Sequence, residues 1–214
     1  ANKILLVIDG VRLNNAIYRS GHLQNIITID ESVLESTEVV FGPSSVLYGS
    51  DALGGTINMS TKRLYFSNEA NVETSYFSKY ASAYNGISSH KSFLYESKRF
   101  AFFSALSLKD YGDVKMGERR SHGYEDWGLM HFYVNEDGEI KMNENPNIQK
   151  NTGFQQFDFI NKMLFKLSDE WRMNTNIQYS TSSDIPRFDK LNDLSDAICE
   201  DCGNNLPKYL YWYY

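Results

Sequence analysis

The chain has 214 residues and a formal net charge of -6, which allows one large domain or two small ones and argues against nucleic acid as the main partner. Fifteen Tyr and thirteen Phe with only four Pro favour strands over disorder. No apolar run reaches the roughly 18 residues of a transmembrane helix. That absence does not exclude membrane-spanning strands, which need only about ten alternating residues each.

The first predicted elements are short and apolar. Lys3 to Ile8 is a continuous apolar run, which predicts a strand buried on both faces. Asp9-Gly10 predicts a turn. The stretch from Arg12 to Ile29 is irregular and polar, and Glu35 to Phe41 predicts a second strand.

A break, a helix and a third strand follow. Gly42-Pro43 ends the second strand, and a proline at this point suits the first turn of a short helix over residues 44–53. Gly54-Gly55 ends that helix. Thr56 to Thr61 then predicts another strand.

Beyond Arg63 the pattern changes to repeated alternation with period two. The alternating segments are Val72–Tyr80, the weaker His90–Glu96, Arg99–Lys109, Phe157–Leu167 and Arg172–Thr181. Each has about the length that a tilted barrel strand needs. The polar side chains on one face of these strands are Glu73, Asp158, Lys162, Lys166, Arg172 and Gln178.

The connections between these segments alternate in length. Glu96–Arg99 and Ser168–Glu170 are tight turns, whereas Asp110–Asn151 and the residues after Thr181 are long and polar. Short turns at one end and long loops at the other are typical of an outer-membrane barrel. This pattern favours a barrel over a soluble β-sandwich.

Two segments carry a family resemblance. Val7-Ile8-Asp9-Gly10-Val11-Arg12-Leu13-Asn14 resembles a plug segment of TonB-dependent receptors, and the stretch from Glu38 to Asn58 resembles the signature at the end of that plug. The second match has strand, break, helix, double glycine and strand in the family's order. Its structural positions are Asp9, Gly10, Gly42, Pro43, Tyr48, Gly49, Asp51, Gly54 and Gly55.

The resemblance implies an α+β plug fragment followed by all-β, antiparallel transmembrane strands. Residues 1–62 would be the C-terminal part of the plug, and residues 63–214 would be the first part of a barrel of about 22 strands. Both ends of the chain have the character of truncations, and the family's TonB box and remaining strands would lie outside it.

The resemblance also implies a function. The chain would belong to a non-enzymatic transporter in the bacterial outer membrane, driven by a TonB-type partner and surrounded by lipid. It would hold no cofactor of its own, and its transported ligand would be a ferric siderophore, haem or cobalamin. Residues 184–189 and the Tyr- and Trp-rich end resemble haem- and siderophore-type members from Bacteroidetes-like bacteria.

The alternative is a surface-binding β-protein, such as an adhesin or a glycan-binding receptor. The glycine-rich stretch lacks the Gly-Lys-Ser/Thr ending of a phosphate loop, and no Gly-x-Ser-x-Gly elbow of a hydrolase is present.

Two groups of residues are candidate ligand contacts. Asn14, Arg19 and His22 lie in a plug loop that faces the ligand in the family, although ordinary loop hydrogen bonding also accounts for them. His122, Tyr124 and His131 lie in the long loop after Lys109. The alternative for that loop is a solvated segment whose aromatic residues pack on themselves. The sequence indicates no metal site.

The chain departs from the family at one point. Family members usually carry Arg where this chain has Phe41, and often a second Arg where Ser36-Thr37 stand. In the family those arginines pair with barrel carboxylates and hold the plug. The resemblance therefore implies the fold but not this ionic connection for the present chain.

The two cysteines are Cys199 and Cys202, in a single Cys-x-x-Cys pair. One such pair does not complete a tetrahedral zinc site, and no βαβ pattern accompanies it as in a thioredoxin motif. A local loop disulfide is the interpretation that fits an oxidising compartment.

Overall fold

The computed structural model describes residues 4–13, 29–42, 52, 54–135, 139–186 and 211–212. These form two compact units. The first comprises residues 1–76, 90–107 and 158–180, and the second comprises residues 77–89, 108–157 and 181–214. Five long strands contribute residues to both units.

The first unit contains a four-stranded sheet, here called the small sheet. Its strands are β1 (Ile4–Ile8), β2 (Val11–Arg12), β3 (Leu34–Phe41) and β4 (Gly55–Thr61), in the order β2-β1-β4-β3. β1 runs parallel to β4, with Ile4 opposite Gly55 and Ile8 opposite Met59. β3 runs antiparallel to β4.

β1 is covered on both faces, as its continuous apolar run predicts. Leu5 and Val7 pack with Ala52 on one face. Leu6 and Ile8 pack with Met59 on the other face. All four of these β1 side chains are buried, which makes β1 the apolar centre of the small sheet.

The turn between β1 and β2 depends on its two residues. Asp9 has φ of 47° and Gly10 has φ of 81°, and Ile8 pairs with Val11 across them. Two successive positive φ values are the mark of a tight hairpin turn that favours Asp-Gly or Asn-Gly. The backbone thereby directs the Asp9 side chain away from the strand.

Gly55 is required by close approach of the backbone. Its φ is 144°, and a Cβ at this position would lie 2.6 Å from the carbonyl oxygen of Val40 in the neighbouring strand. We expect Gly55→Ala to destabilise the small sheet by roughly 2 kcal/mol or more, because strain and a backbone clash add. Hydrogen exchange of β4 in the full-length protein measures this. Gly117→Ala is the control, since a Cβ there meets nothing within 4 Å, and equal effects of the two variants would contradict the prediction.

Five long strands form a second sheet, here called the large sheet. They are β5 (Asn71–Ala81), β6 (Gly86–Glu96), β7 (Phe100–Tyr111), β12 (Phe154–Lys166) and β13 (Arg172–Ser182), in the order β13-β12-β7-β6-β5. All five alternating segments of the sequence are confirmed as strands. Burial alternates along β7 and β12, so that each strand has one inward and one outward face. Aromatic side chains such as Phe102 and Phe165 lie on the outward face, as the period predicts.

The long connection from residue 112 to residue 153 belongs to the second unit and carries short strands that the sequence did not predict. They are β8 (Val114–Lys115), β9 (Phe132–Val134), β10 (Ile140–Met142) and β11 (Ile148–Gln149). β8 pairs with β11 and β9 pairs with β10, both antiparallel. Asp113 accepts hydrogen bonds from the backbone N–H groups of Thr152 and Gly153, at 3.0 and 3.2 Å, which ties the two ends of the connection together. Beyond it, β14 (Ile185–Pro186) pairs with β15 (Tyr211–Trp212).

The helical expectations concern residues that the structure describes only in part. Glu31–Val33 form a 3-10 turn, and Asp30 caps it by accepting the Ser32 N–H at 3.0 Å. The helix predicted over residues 44–53 lies almost wholly outside the described residues. Within the described ranges, no helix is long and apolar enough to cross a membrane.

Candidate functional site

The inward face of the large sheet meets the small-sheet segment within the first unit. Val33, from the 3-10 turn before β3, packs with Leu94, Phe103, Ala105 and Ile160 of the large sheet. This apolar contact is flanked by two polar clusters. Each cluster contains one carboxylate from the small-sheet segment, together with partners on the large sheet.

The first group, here called the Asp9 cluster, consists of Asp9, Thr61, Lys162 and Asn176. Thr61 donates to Asp9 twice, from its backbone N at 2.9 Å and from its Oγ1 at 2.6 Å. Lys162 Nζ lies 3.2 Å from Asp9 Oδ2 and 2.8 Å from Thr61 Oγ1. Asn176 Nδ2 donates to Asp9 Oδ2 at 2.9 Å. Because Lys162 is only 7% exposed, its ammonium group has exchanged water for these partners.

The Asp9 carboxyl responds to this environment. Burial by itself raises its pKa, but the hydrogen bonds from Thr61 and the nearby Lys162 ammonium lower it by more, so the net pKa lies below its ordinary value of 3.8. A carboxyl with a lowered folded-state pKa stabilises the folded state above its unfolded pKa. That stabilisation is lost as the pH falls through the folded value.

A pH dependence follows for the small sheet. We expect its stability to fall as the pH drops below about 5 and through the lowered pKa of Asp9, and to fall less in Asp9→Asn, since asparagine cannot take up the proton. Asparagine also tolerates the positive φ of the turn, so the hairpin is retained. Hydrogen exchange of β1 and β4 at several pH values measures the slope. Identical slopes in both proteins would exclude Asp9 as the group responsible.

The second group, here called the Asp30 cluster, consists of Asp30, His90 and Ser107, all of which are buried. The Ser107 hydroxyl donates to Asp30 Oδ2. His90 Nδ1 lies 2.7 Å from Ser107 Oγ and 3.3 Å from Asp30 Oδ2. Since the serine proton goes to Asp30, the Nδ1–H of His90 is the donor to Ser107.

These three residue types also form hydrolase triads, but their geometry here differs. In a triad the serine donates to one imidazole nitrogen and the aspartate accepts from the other. Here Ser107 and Asp30 both face Nδ1 of His90, and the serine donates to the carboxylate. The arrangement leaves no activated nucleophile. It is a polar connection between the small-sheet segment and strands β6 and β7.

A cavity of about 210 Å³ lies beside both clusters. Its wall includes Ile8, Asp30, Thr61, Asp158 and Ser180. Asp158 is buried and accepts a hydrogen bond from the Ser180 hydroxyl at 2.6 Å. The cavity therefore has a polar lining on the side of β12 and β13.

The second unit holds an exposed aromatic group, here called the loop cluster, formed by His122, Tyr124 and Trp127. The His122 ring lies 5.4 Å from the Trp127 ring, edge to face, and 5.7 Å from the Tyr124 ring. Arg120 fixes the loop by donating to the carbonyl of Trp127 at 3.2 Å and to Asn147 Oδ1 at 2.7 Å. Tyr124 and Trp127 remain 71% and 65% exposed.

The imidazole of His122 is oriented by its own loop. Its Nδ1 accepts the backbone N–H of Tyr124 at 3.1 Å. In the neutral ring this places the proton on Nε2, which then acts as a hydrogen-bond donor. Nε2 is consequently not set up to ligate a metal in this conformation.

The structure places some of the sequence-predicted ligand-contact and other site residues, and leaves others outside its described ranges. His122 and Tyr124 are brought together, whereas His131 precedes β9, outside the loop cluster, with its carbonyl accepting the Asn143 N–H at 2.8 Å. Asn14, Arg19, His22, Pro43, Tyr48, Gly49, Asp51, Cys199 and Cys202 lie outside the described residues. Within the described ranges, no group of three or more His, Cys, Asp or Glu side chains is placed to hold a metal ion.

Several residues of the two polar clusters were not predicted as contacts. Lys162 is one of the polar side chains that the sequence places on one face of the barrel strands, and the Asp9 cluster contains it. Asp30, His90 and Ser107 were not singled out. A weak signal for His90 exists, because Ser88, His90 and Ser92 alternate along β6 on the same face.

The N-terminal part of the chain is similar to known proteins. Residues 1–56 match the TonB-dependent Receptor Plug Domain family. The vitamin B12 transporter BtuB of Vibrio vulnificus (strain CMCP6) is 43% identical over 61 residues, which is 28% of this chain and 9% of that protein. The chain thus spans about a tenth of the length of this curated relative.

Solved structures share the fold. The FrpB iron transporter from Neisseria meningitidis, in its apoprotein form, matches with a TM-score of 0.54 and 14% identity, over 85% of this chain and 25% of that chain. The siderophore receptor PirA from Acinetobacter baumannii matches with a TM-score of 0.52 and 19% identity, over 84% of this chain and 24% of that chain. The fold is therefore that of part of a plugged β-barrel, and residues 1–56 are similar to the plug domain of TonB-dependent receptors.

Proposed function

We propose that this chain is the plug-to-barrel portion of an active importer, in which residues 1–62 close the barrel lumen and residues 63–214 begin its wall. The transported solute is a ferric siderophore or a related iron complex. A TonB-type protein supplies the energy that moves the plug. The transporter performs no catalysis.

The observation that carries this proposal is the pair of polar clusters between the small-sheet segment and the inward face of the large sheet. A wide barrel needs a folded plug in its lumen, and that plug has to be held and yet be able to move. Polar contacts suit this role, because water can replace each hydrogen bond when the sheets separate. The flanking apolar contact through Val33 is small.

The cavity between the clusters fits the same role. It lies against Asp30 and Thr61 on one side and Asp158 and Ser180 on the other. Separation of the small sheet from β12 and β13 would enlarge this space first. A passage opening here would have a polar wall suited to a hydrophilic chelate.

The loop cluster supports a chelate over haem ligation. Aromatic faces and a His122 donor at Nε2 can contact the oxygen-rich periphery of a siderophore complex. Direct binding of haem iron would instead require a free imidazole lone pair. The names of FrpB and PirA also favour iron, whereas that of BtuB keeps cobalamin as the competing solute.

Ligand binding by the full-length receptor tests the proposal. The receptor is purified from outer membranes in detergent and titrated with a panel of ferric siderophores, haem and cobalamin. Saturable binding of a ferric siderophore is expected, with no Soret band in the purified protein. Binding of cobalamin alone would overturn the iron assignment, and binding of none of the three would overturn the proposed substrate class.

The loop cluster gives a further expected result. Trp127→Ala and Tyr124→Ala should each weaken binding of the siderophore by about tenfold, because exposed aromatic anchors commonly dominate such contacts. Trp171→Ala is the matched control, since Trp171 is a similarly exposed tryptophan in the turn between β12 and β13. Titration of the three variants decides, and equal affinities in all of them would remove the loop cluster from the binding site.

A further inference from the structure

A basic pocket lies in the first unit, beside the turns β6–β7 and β12–β13 and the linker between β4 and β5. Its volume is about 450 Å³, and its lining includes Phe66, Lys98, Arg99, Lys166 and Arg172. Lys98 and Arg99 come from the turn between β6 and β7, and Lys166 and Arg172 end β12 and begin β13. The linker from β4 to β5 supplies Phe66, Ser67 and Asn68.

The charge of this pocket is one-sided. Four cationic side chains line it, and its lining contains no carboxylate. This contrasts with the whole chain, whose formal net charge is -6. Four cations at one pocket repel each other unless an anion lies among them.

One cation of this pocket already pairs with a nearby carboxylate, that of Asp169. Asp169, fully exposed in the adjacent turn, has its Oδ1 2.7 Å from Lys166 Nζ. The hydrogen bond from Lys166 lowers the pKa of Asp169, and the charges of Lys166 and Arg99 lower it further. Asp169 offsets one of the four positive charges, so an excess of three remains for an external ligand.

The cations are arranged for an oxyanion. The Arg172 guanidinium lies 5.6 Å from the centre of the Phe66 ring, which holds it by a cation–π contact. A guanidinium offers paired N–H donors to a phosphate, and lysines add point charges. Ser67 and Asn68 add uncharged polar groups at the rim.

From this charge and geometry, we infer that the pocket binds a phosphate group. Two sources supply one, a free phosphate in the periplasm and the headgroup of a phospholipid.

The test uses the full-length receptor in detergent, stripped of lipid. Inorganic phosphate is titrated by calorimetry, and retention of phosphatidylglycerol against phosphatidylcholine is measured by native mass spectrometry. Phosphate binding identifies the free ion, and selective retention of phosphatidylglycerol identifies the lipid headgroup. Either result supports a phosphate site in this pocket, provided that the measured binding weakens by at least about tenfold in the double variant Arg99→Gln/Arg172→Gln. This variant loses two charged contacts.

Two further variants keep the test decisive. Lys98→Gln changes an exposed turn residue without altering a strand, so it should weaken binding severalfold even if the double variant folds poorly. Lys91→Gln removes an exposed cation outside the pocket and should bind as the wild type does. The inference is overturned if the wild type binds neither probe, or if all variants bind as the wild type. These outcomes are independent of siderophore binding.

Discussion

Lys162→Met is expected to loosen the small sheet from the large sheet by on the order of 3 kcal/mol, the usual cost of removing one partner of a buried ion pair. Lys162 is buried, and its ammonium contacts both Asp9 Oδ2 and Thr61 Oγ1. The methionine side chain fills much of the same space and donates nothing. Asp9 then keeps its hydrogen bonds from Thr61 and Asn176.

Amide hydrogen exchange of β1 and β4 in the full-length receptor measures this loss. Lys62→Met is the matched control, because Lys62 pairs with Glu73 at 3.7 Å through side chains that are 38% and 57% exposed. That variant should change the free energy of opening by no more than about 0.5 kcal/mol. The double variant Asp9→Asn/Lys162→Met should cost less than the two single variants added together, because both remove the same contact. Additive effects would show that Asp9 and Lys162 are not coupled.

The second large effect is expected at Asp30. Its two carboxylate oxygens serve different partners, since Oδ1 caps the 3-10 turn through Ser32 and Oδ2 accepts from Ser107. Asp30→Ala removes the cap and leaves two buried polar groups, on Ser107 and His90, without this acceptor. We expect a loss of roughly 3 to 4 kcal/mol in the free energy of opening of the small sheet.

A graded series separates the roles of Asp30. Asp30→Asn keeps the oxygen that caps the turn but removes the charge, so its loss should fall between those of the wild type and Asp30→Ala. Glu38→Ala, which changes an exposed carboxylate on β3, should stay within about 0.5 kcal/mol of the wild type. Hydrogen exchange of residues 30–41 is the measurement. A wild-type exchange rate in Asp30→Ala would contradict the role assigned to the Asp30 cluster.

The two clusters also bear on the absence of the family's usual arginines near Phe41. In the position where the family usually has arginine, Phe41 is 89% exposed at the end of β3. The resemblance leads one to expect plug cations and barrel carboxylates. In this chain the carboxylates, Asp9 and Asp30, lie on the small-sheet side, whereas Lys162 and His90 lie on the large sheet. The Asp9–Lys162 ion pair is thus such a connection with its charges reversed.

Periodicity explains why much of the fold was predictable. A continuous apolar run gave β1 two covered faces, and alternation gave β12 an inward Lys162 and Asp158. These properties are local, because side-chain direction in a strand follows from residue number alone. The Asp-Gly turn was predictable for the same reason.

The partners of these side chains were not predictable from local pattern. Asp30, His90 and Ser107 meet only after the small-sheet segment docks on β6 and β7, and Asp30 itself follows an irregular stretch. Strands of two or three residues, such as β8 and β11, contain too few positions to display a period. Long-range docking and register decide both features.

A reversible cross-link tests most directly whether the small sheet must leave the large sheet during the proposed import. Asp30→Cys/Ser107→Cys in the full-length receptor places two thiols where the carboxylate and hydroxyl now meet, and mass spectrometry confirms the disulfide. Uptake of radiolabelled ferric siderophore and of labelled cobalamin is then measured in cells. We expect the oxidised receptor still to bind its solute but to lose uptake, and a reductant to restore uptake. Full uptake by the cross-linked receptor would contradict it.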